Sequence, residues 1–396
     1  VTRRLRVGLL DSHPIQYHAP WFRGLAQHCD LQVYFAHRQS AADQAQAGYG
    51  VAFDWDLDLT AGYAHEFLHN RAAEPNVYRF GGCDTPEIRA KIRDGRFDAF
   101  VVTGWYLKSF WQAARAAREH RTPILVRGDS QLGTPRAAWK RLAKQVGYRL
   151  MLRQFDAYLA VGRRNAEYLR HYGARGERIY AAPHFVDAAW FRARVPVSPA
   201  ELAAARATLG APEHHRALLF VGRLVDFKRP LDVVRAAAGL RAQGTGAALH
   251  VAFAGSGALS GAIERLAAEL GVSIKLLGFR NQSELPALYA AADVLVLPSD
   301  AHETWGLVVN EAMACGTPAV VSTAAGCAPD LIDAFTGRSY ECGDLDGLRR
   351  ALLDACELAR SEDSRRALDR KTQEFSCERA VAGTLEAIRA TVARLR

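Results

Sequence analysis

Long apolar runs are missing from this chain of 396 residues: nowhere do eighteen uncharged apolar residues follow one another, so no membrane-spanning helix is expected. The opening VTRRLRVGLLD passes from charge straight into a short strand and lacks the apolar middle of a secretory signal, so a cytoplasmic protein is expected. Cysteine is sparse. The seven, Cys29, Cys83, Cys315, Cys327, Cys342, Cys356 and Cys377, are odd in number and form neither CxxC pairs nor Cys/His clusters with metal spacing, which predicts reduced, unligated thiols. No G-x-G-x-x-G opens the first βα unit, which argues against a dinucleotide oxidoreductase. Acidic residues number 42 against 51 basic ones, leaving a net charge of +9. The excess is Arg scattered over many helical stretches without an aromatic nucleic-acid motif, so the expected anionic partner is a nucleotide, a phosphate or anionic lipid, and not nucleic acid.

Apolar residues make up 49% of the chain, enough for two cores at this length. Leu5 to Asp11 and Asp30 to His37 read as buried strands. Periodicity then fades from Arg38 to Asn70, where the alternation of Phe53, Trp55, Leu57 and Leu59 predicts an inserted loop with an edge strand. From Pro86 to Ala182 strands and helices alternate regularly, which specifies a parallel sheet covered on both faces. A weaker stretch holding a short helix, Pro199 to Leu209, reads as a linker, and a second βα series starts at Ala217. The expected division is a first domain over 1–190, a linker over 191–216, a second domain over 217–375 and a last amphipathic helix over 376–396.

The most informative stretch is Ser299 to Gly326, SDAHETWGLVVNEAMACGTPAVVSTAAG. It follows a short β-branched apolar run, so Glu303 lies in the loop leaving the carboxyl end of a buried strand. Leu307, Val308, Ala312 and Met313 recur at helical spacing, Gly316 and Pro318 stop the helix, and Glu311 falls on its second turn. The free N–H groups of the first turn, at Gly306, Leu307 and Val308, make an anion site, and Gly306 has no side chain to keep a phosphate away. Two carboxylates flank it. Carboxylates are poor phosphate ligands but good acceptors for vicinal hydroxyls, so the expected ligand carries phosphate and sugar together: a nucleotide sugar. Arg223 just past a strand and Lys228 just before a helix can converge on the diphosphate.

The spacing Glu303, seven residues, Glu311, with Gly306-Leu307 between and Gly316-Thr317-Pro318 after, resembles the E-x7-E signature of family 4 retaining glycosyltransferases. Gly222-Arg223-Leu224 and Lys228 resemble that family's Gly-Arg-Leu…Lys element, and Pro183-His184-Phe185-Val186-Asp187 looks like a variant of its Pro-Asn-Gly-Val-Asp string. The resemblance implies an α/β chain of two Rossmann-like domains facing across a cleft (the B-type glycosyltransferase fold), with the last helix crossing back to the first domain. It further implies that Glu311 holds the ribose hydroxyls, Glu303 the transferred sugar, and that Gly255, Phe279, Arg280, Thr304, Gly306, Leu307 and Val308 line the donor site. Transfer with retention from a UDP- or GDP-linked sugar to a glycan or lipid-linked acceptor is the implied activity. Arg223, Lys228 and the helix N-terminus neutralise the diphosphate, so no metal and no other cofactor is expected.

Loops at strand ends of the first half face the same crevice. His13, Gln16 and His18 follow the first strand, and Arg127 and Asp129 stand where many members of that family carry a histidine; these and His184 are the candidates for acceptor contact, with Asp129 or His13 placed to assist proton transfer. The stretch Arg136 to Arg153 sets Arg136, Lys140, Arg141, Lys144 and Arg149 around Trp139, Leu142 and Val146, a basic amphipathic pattern that predicts peripheral contact with anionic lipid. Two other functions share the same site chemistry. A nucleotide-sugar epimerase would release altered sugar nucleotide without an acceptor, and an idle nucleotide-sugar sensor would bind donor without turnover.

Overall fold

The computed structural model describes residues 3–45, 51–134, 138–212, 214–242, 248–359 and 361–395. Short β-branched runs separated by helices give two wholly parallel sheets. The first has seven strands, β1 (Arg6–Asp11), β2 (Asp30–Phe35), β3 (Ala64–Phe67), β4 (Ala99–Val102), β5 (Ile124–Gly128), β6 (Ala157–Ala160) and β7 (Ile179–Ala181), in the order β3-β2-β1-β4-β5-β6-β7. The second has six, β8 (Arg216–Val221), β9 (Leu249–Ala254), β10 (Ser273–Gly278), β11 (Val294–Leu297), β12 (Ala319–Ser322) and β13 (Gly337–Tyr340), in the order β10-β9-β8-β11-β12-β13. Strand order reverses between β1 and β4 and between β8 and β11. At such points helices leave toward opposite faces and a crevice opens beyond the carboxyl ends of the strands. The two crevices face each other, since side chains from the loops after β1 and β5 hydrogen-bond to the second domain, at Glu311 and at the loop after β11.

Each sheet is buried on both faces, which is why its strands read as continuous apolar runs. The last helix, Cys377–Leu395, places Val381, Leu385, Ile388 and Val392 in the core of the first sheet, and Trp21 Nε1 donates to Thr384 Oγ1 at 3.2 Å. The charged region after Leu345 forms two helices, Leu345–Leu358 and Glu362–Glu374, the second capped by Ser361.

Three expectations require correction. The alternating Phe53-to-Leu59 segment is irregular, with its odd-numbered side chains turned inward, and the edge strand is β3, paired in parallel with β2. Period-two burial therefore came from packing and not from a hydrogen-bonded ladder. The segment expected as linker is folded into the second domain: helix Pro199–Leu209 buries Ala205 and Leu209, and its Arg206 grips Asp293. In helix Ala138–Leu152, Lys144 is buried beneath the rings of Tyr148, Tyr168 and Tyr172, 4.3, 4.6 and 5.2 Å away, so it faces the protein core. Val146 and Leu150 are the exposed apolar residues there, while Arg136 and the side chains of Trp139, Lys140, Arg141 and Leu142 lie outside the described residues. Among the described residues no helix is long and apolar enough to cross a membrane.

Candidate functional site

The second crevice is built around the loop from β11 to helix Leu307–Ala314. Gly306 enters that helix with φ +106°, and a Cβ there would stand 2.5 Å from Leu297 Cδ2, so only glycine lets the chain turn this tightly over β11. It leaves the helix N-terminus without a side-chain cap and close to Glu303, whose Cγ would stand 3.6 Å from a Cβ at Gly306. The Glu303 carboxylate is held in the same place. Its Oε2 meets Lys228 Nζ and accepts from Ser299 Oγ at 3.1 Å. The Asp300 N–H bonds the Phe227 carbonyl at 2.8 Å, tying the loops after β8 and β11 together. The structure thus brings Glu303, Lys228 and the Gly306 helix end to one point, and Arg223 lines the neighbouring cavity.

Glu311 lies one helical turn deeper and is 1% exposed. Tyr17 Oη, from the loop after β1, donates to Oε1 at 2.8 Å, and Tyr289 Oη donates to Oε2 at 2.6 Å. Burial outweighs these two donors and pushes the carboxyl up to about 7. Glu311 closes one wall of an interdomain cavity of about 110 Å³, to which Gln16, Tyr17 and Trp55 come from the first domain and Arg223, Gly255, Phe279, Arg280 and Val308 from the second. Gly255 lines it, yet its missing side chain makes room for the protein itself: with φ +150°, a Cβ would lie 1.9 Å from the Gly222 carbonyl oxygen. Leu307 packs against the second domain's core instead of lining the cavity. Arg280 is held by Glu284 at 2.8 Å, and the Asn281 side chain forms a capping box with Glu284.

Across the cleft, Asp11 is buried, receives Thr103 Oγ1 and the Ser12 N–H, and meets His18 Nδ1 at 2.6 Å. His18 is therefore an anchor for the loop. His13 Nδ1 lies 2.9 Å from Ser12 Oγ, and desolvation pushes its ring down to about 4, leaving it neutral near pH 7. Asp129 Oδ2 accepts from Thr304 Oγ1 at 2.8 Å, so both residues bind each other across the cleft. Arg127 and His184, expected at the acceptor, are buried in the wall instead. The Arg127 guanidinium reaches the carbonyls of Ala182 and Pro183 and lies 5.1 Å from the Trp21 ring, and burial pushes it down to about 10. His184 packs 5.4 Å from Trp305 and is driven well below its ordinary value by the same burial.

Several residues at the site escaped the sequence reading. Gln131 Nε2 donates to the carbonyls of Ala301 (3.0 Å) and Glu303 (2.9 Å), pinning the Glu303 loop from the first domain, and Arg164 Nη1 donates to those of Ala324 and Ala325, pinning the loop after β12. Tyr17 stood in a loop already assigned to the crevice, where its position after β1 was a usable signal; Tyr289, Gln131 and Arg164 carried none. Cys327 is fully buried with its thiol pushed far up, which agrees with a packing role. Among the described residues no cluster of three or more His, Cys, Asp and Glu could hold a metal ion.

The Glu311 carboxyl, raised from 4.5 to about 7, favours its protonated form in the folded protein. Its stabilising contribution is complete below pH 4.5 and is lost as pH rises through 7, so wild type should lose about 2–3 kcal/mol relative to Glu311→Gln between pH 5 and 8. Unfolding curves of the two proteins across that range check this; a parallel course would refute it.

The second half of the chain, residues 203–375, matches the family described as glycosyl transferases group 1, and residues 17–184 match the glycosyl transferase 4-like domain. Curated relatives include proteins named D-inositol 3-phosphate glycosyltransferase from Rhodococcus opacus, 30% identical over 72% of this chain and 64% of that one, and from Nocardia farcinica, 31% identical over 63% and 56%. The chain thus spans little more than half to nearly two thirds of their length. Among solved structures, Anabaena HepE in complex with UDP superimposes with TM-score 0.73 at 17% identity, covering 98% of this chain and all of that one. Sucrose-phosphate synthase from Thermosynechococcus elongatus gives 0.70 at 20%, covering 99% and 100%. With each half of the chain matched in order and the two facing sheets superimposing over nearly their whole length, the chain belongs to the group 1 glycosyl transferases, with a 4-like first domain and the B-type glycosyltransferase fold.

Proposed function

We propose that this protein transfers a sugar from a nucleotide sugar to an acceptor with retention of anomeric configuration. One observation carries the reading: Glu303, Lys228 and an uncapped helix N-terminus meet at one point, beside a cavity walled by Arg223 and Glu311. Cation, N–H groups and a fixed carboxylate at one place suit a diphosphate leaving group and the positive charge that develops on the departing sugar. Glu311 would accept the ribose hydroxyls. A neutral His13 and Asp129 flank the acceptor side; in front-face transfer the leaving phosphate oxygen itself takes the acceptor proton, so neither is required as a base. The HepE structures hold UDP and UDP-glucose, which supports a UDP-linked donor.

A thermal-shift panel of UDP, GDP, ADP and TDP sugars should single out one base, since ligand at a hundred times its dissociation constant stabilises by about 2.7 kcal/mol. With that donor, Glu303→Gln should lower kcat by about two orders of magnitude while leaving nucleoside diphosphate affinity nearly unchanged. Glu311→Ala should chiefly weaken nucleotide binding. If neither substitution alters binding or turnover, the reading fails; release of epimerised sugar nucleotide in the absence of acceptor favours the epimerase.

Charge neutralisation by Arg223, Lys228 and the helix end makes turnover metal-independent. Activity should therefore persist in excess EDTA, and loss restored by Mg²⁺ or Mn²⁺ would overturn this.

A glycan or lipid-linked acceptor at an anionic membrane surface fits the exposed Val146 and Leu150, 64% and 58% accessible, beside exposed Arg149 and Arg153. Co-sedimentation with anionic vesicles at low salt should exceed that with neutral ones. Equal, negligible binding to both removes the membrane from the proposal.

A further inference from the structure

The segment 51–59 reaches from the first domain onto the second and is held there by its backbone and side chains. Asn281 Nδ2 donates to the Asp54 carbonyl at 2.9 Å, and the Ser283 N–H donates to Asp56 Oδ2 at 3.1 Å. Between these two contacts stands Trp55, a wall of the cavity that also contains Glu311 and Phe279. Phe53, edge-on to Trp55 at 5.0 Å, lies over Phe279 with ring centroids 4.1 Å apart and planes 30° from parallel. The even positions Asp54, Asp56 and Asp58 are exposed while the odd ones turn inward, Trp55 and Leu57 onto the first domain's core and Phe53 onto Phe279 of the second.

A cavity that combines a carboxylate able to accept two vicinal hydroxyls with two aromatic rings has the chemistry of a nucleoside site: a diol at one wall, a flat π system at another. We propose that the first domain completes the nucleoside half of the donor site, with Trp55 a stacking residue against the nucleobase and Phe53 a positioning residue that fixes Phe279. This rests on the nucleotide-sugar reading above. Asn281 and Ser283 hold Trp55 at the cavity through the Asp54 carbonyl and the Asp56 carboxylate, while buried Leu59 and the Asp58 carbonyl, which accepts from Arg23, anchor the segment on the first domain.

The test compares wild type, Trp55→Ala and Trp55→Phe for binding of UDP, GDP and ADP by calorimetry, with inorganic pyrophosphate as a ligand that has phosphates and no base. Losing an aromatic face against a base costs about five- to a hundredfold in affinity. Trp55→Ala should therefore bind the preferred nucleoside diphosphate at least about fivefold more weakly, Trp55→Phe should recover most of that loss, and pyrophosphate affinity should be the same in all three. Equal nucleoside diphosphate affinity in wild type and Trp55→Ala overturns this inference alone, as does a parallel loss of pyrophosphate affinity, which would mark Trp55 as merely structural. If intact wild type binds pyrophosphate but gains nothing from any base, the functional reading and this inference fall together.

Discussion

Two carboxylates withdrawn from water at the end of β11 set the terms for the rest of the molecule. A charged or polar group in a desolvated place is tolerated only when donors are brought to it, and the cost of leaving it unmet is several times the gain of an ordinary hydrogen bond. Glu303 takes Lys228 and Ser299 from its own domain. Glu311 takes one tyrosine from each domain, Tyr289 from beneath and Tyr17 from across the cleft. A satisfied Glu311 therefore requires the two sheets to face one another at close range.

Closure is secured mainly by polar contacts to backbone. Gln131 and Arg164 reach the carbonyls of the loops after β11 and β12, Asp129 meets Thr304, and Asn281 and Ser283 hold the 51–59 segment. Such contacts form and break at modest cost, since each exchanges with water when the cleft opens. Most apolar packing is kept within each domain and under the last helix, which crosses onto the first sheet, with Phe53 on Phe279 and His184 on Trp305 crossing the cleft.

The residues buried in the first-domain wall are instructive. Arg127 and His184 occupy strand-end positions from which side chains commonly reach a ligand, and both were reasonable candidates by that rule. Trp21 and Trp305 instead enclose them, so Arg127 solvates backbone carbonyls and His184 is held neutral. Position along a strand fixes which end of the sheet a residue occupies. The bulk of its neighbours decides whether its atoms reach the cleft.

The strands, the helices between them and the parallel sheets were legible because their signals are local: apolar runs of strand length, helical periodicity and glycine or proline stops. Glu303, Gly306 and Glu311 were legible for the same reason, since one strand–loop–helix passage places all three. The alternation at Phe53 and Trp55 was also visible, but burial with period two arises equally from a strand in a ladder or from an irregular segment laid on a core, and the sequence cannot distinguish them. Tyr17 on Glu311 and Gln131 on the Glu303 carbonyl join residues far apart in the chain, by as many as 294 positions for the Tyr17 contact. The chain by itself determined the elements and the chemistry carried on each. Which hydroxyl meets which carboxylate, and which candidates are walled off from the ligand, was decided only when the domains closed, because a hydrogen bond depends on distance and burial that no local pattern encodes.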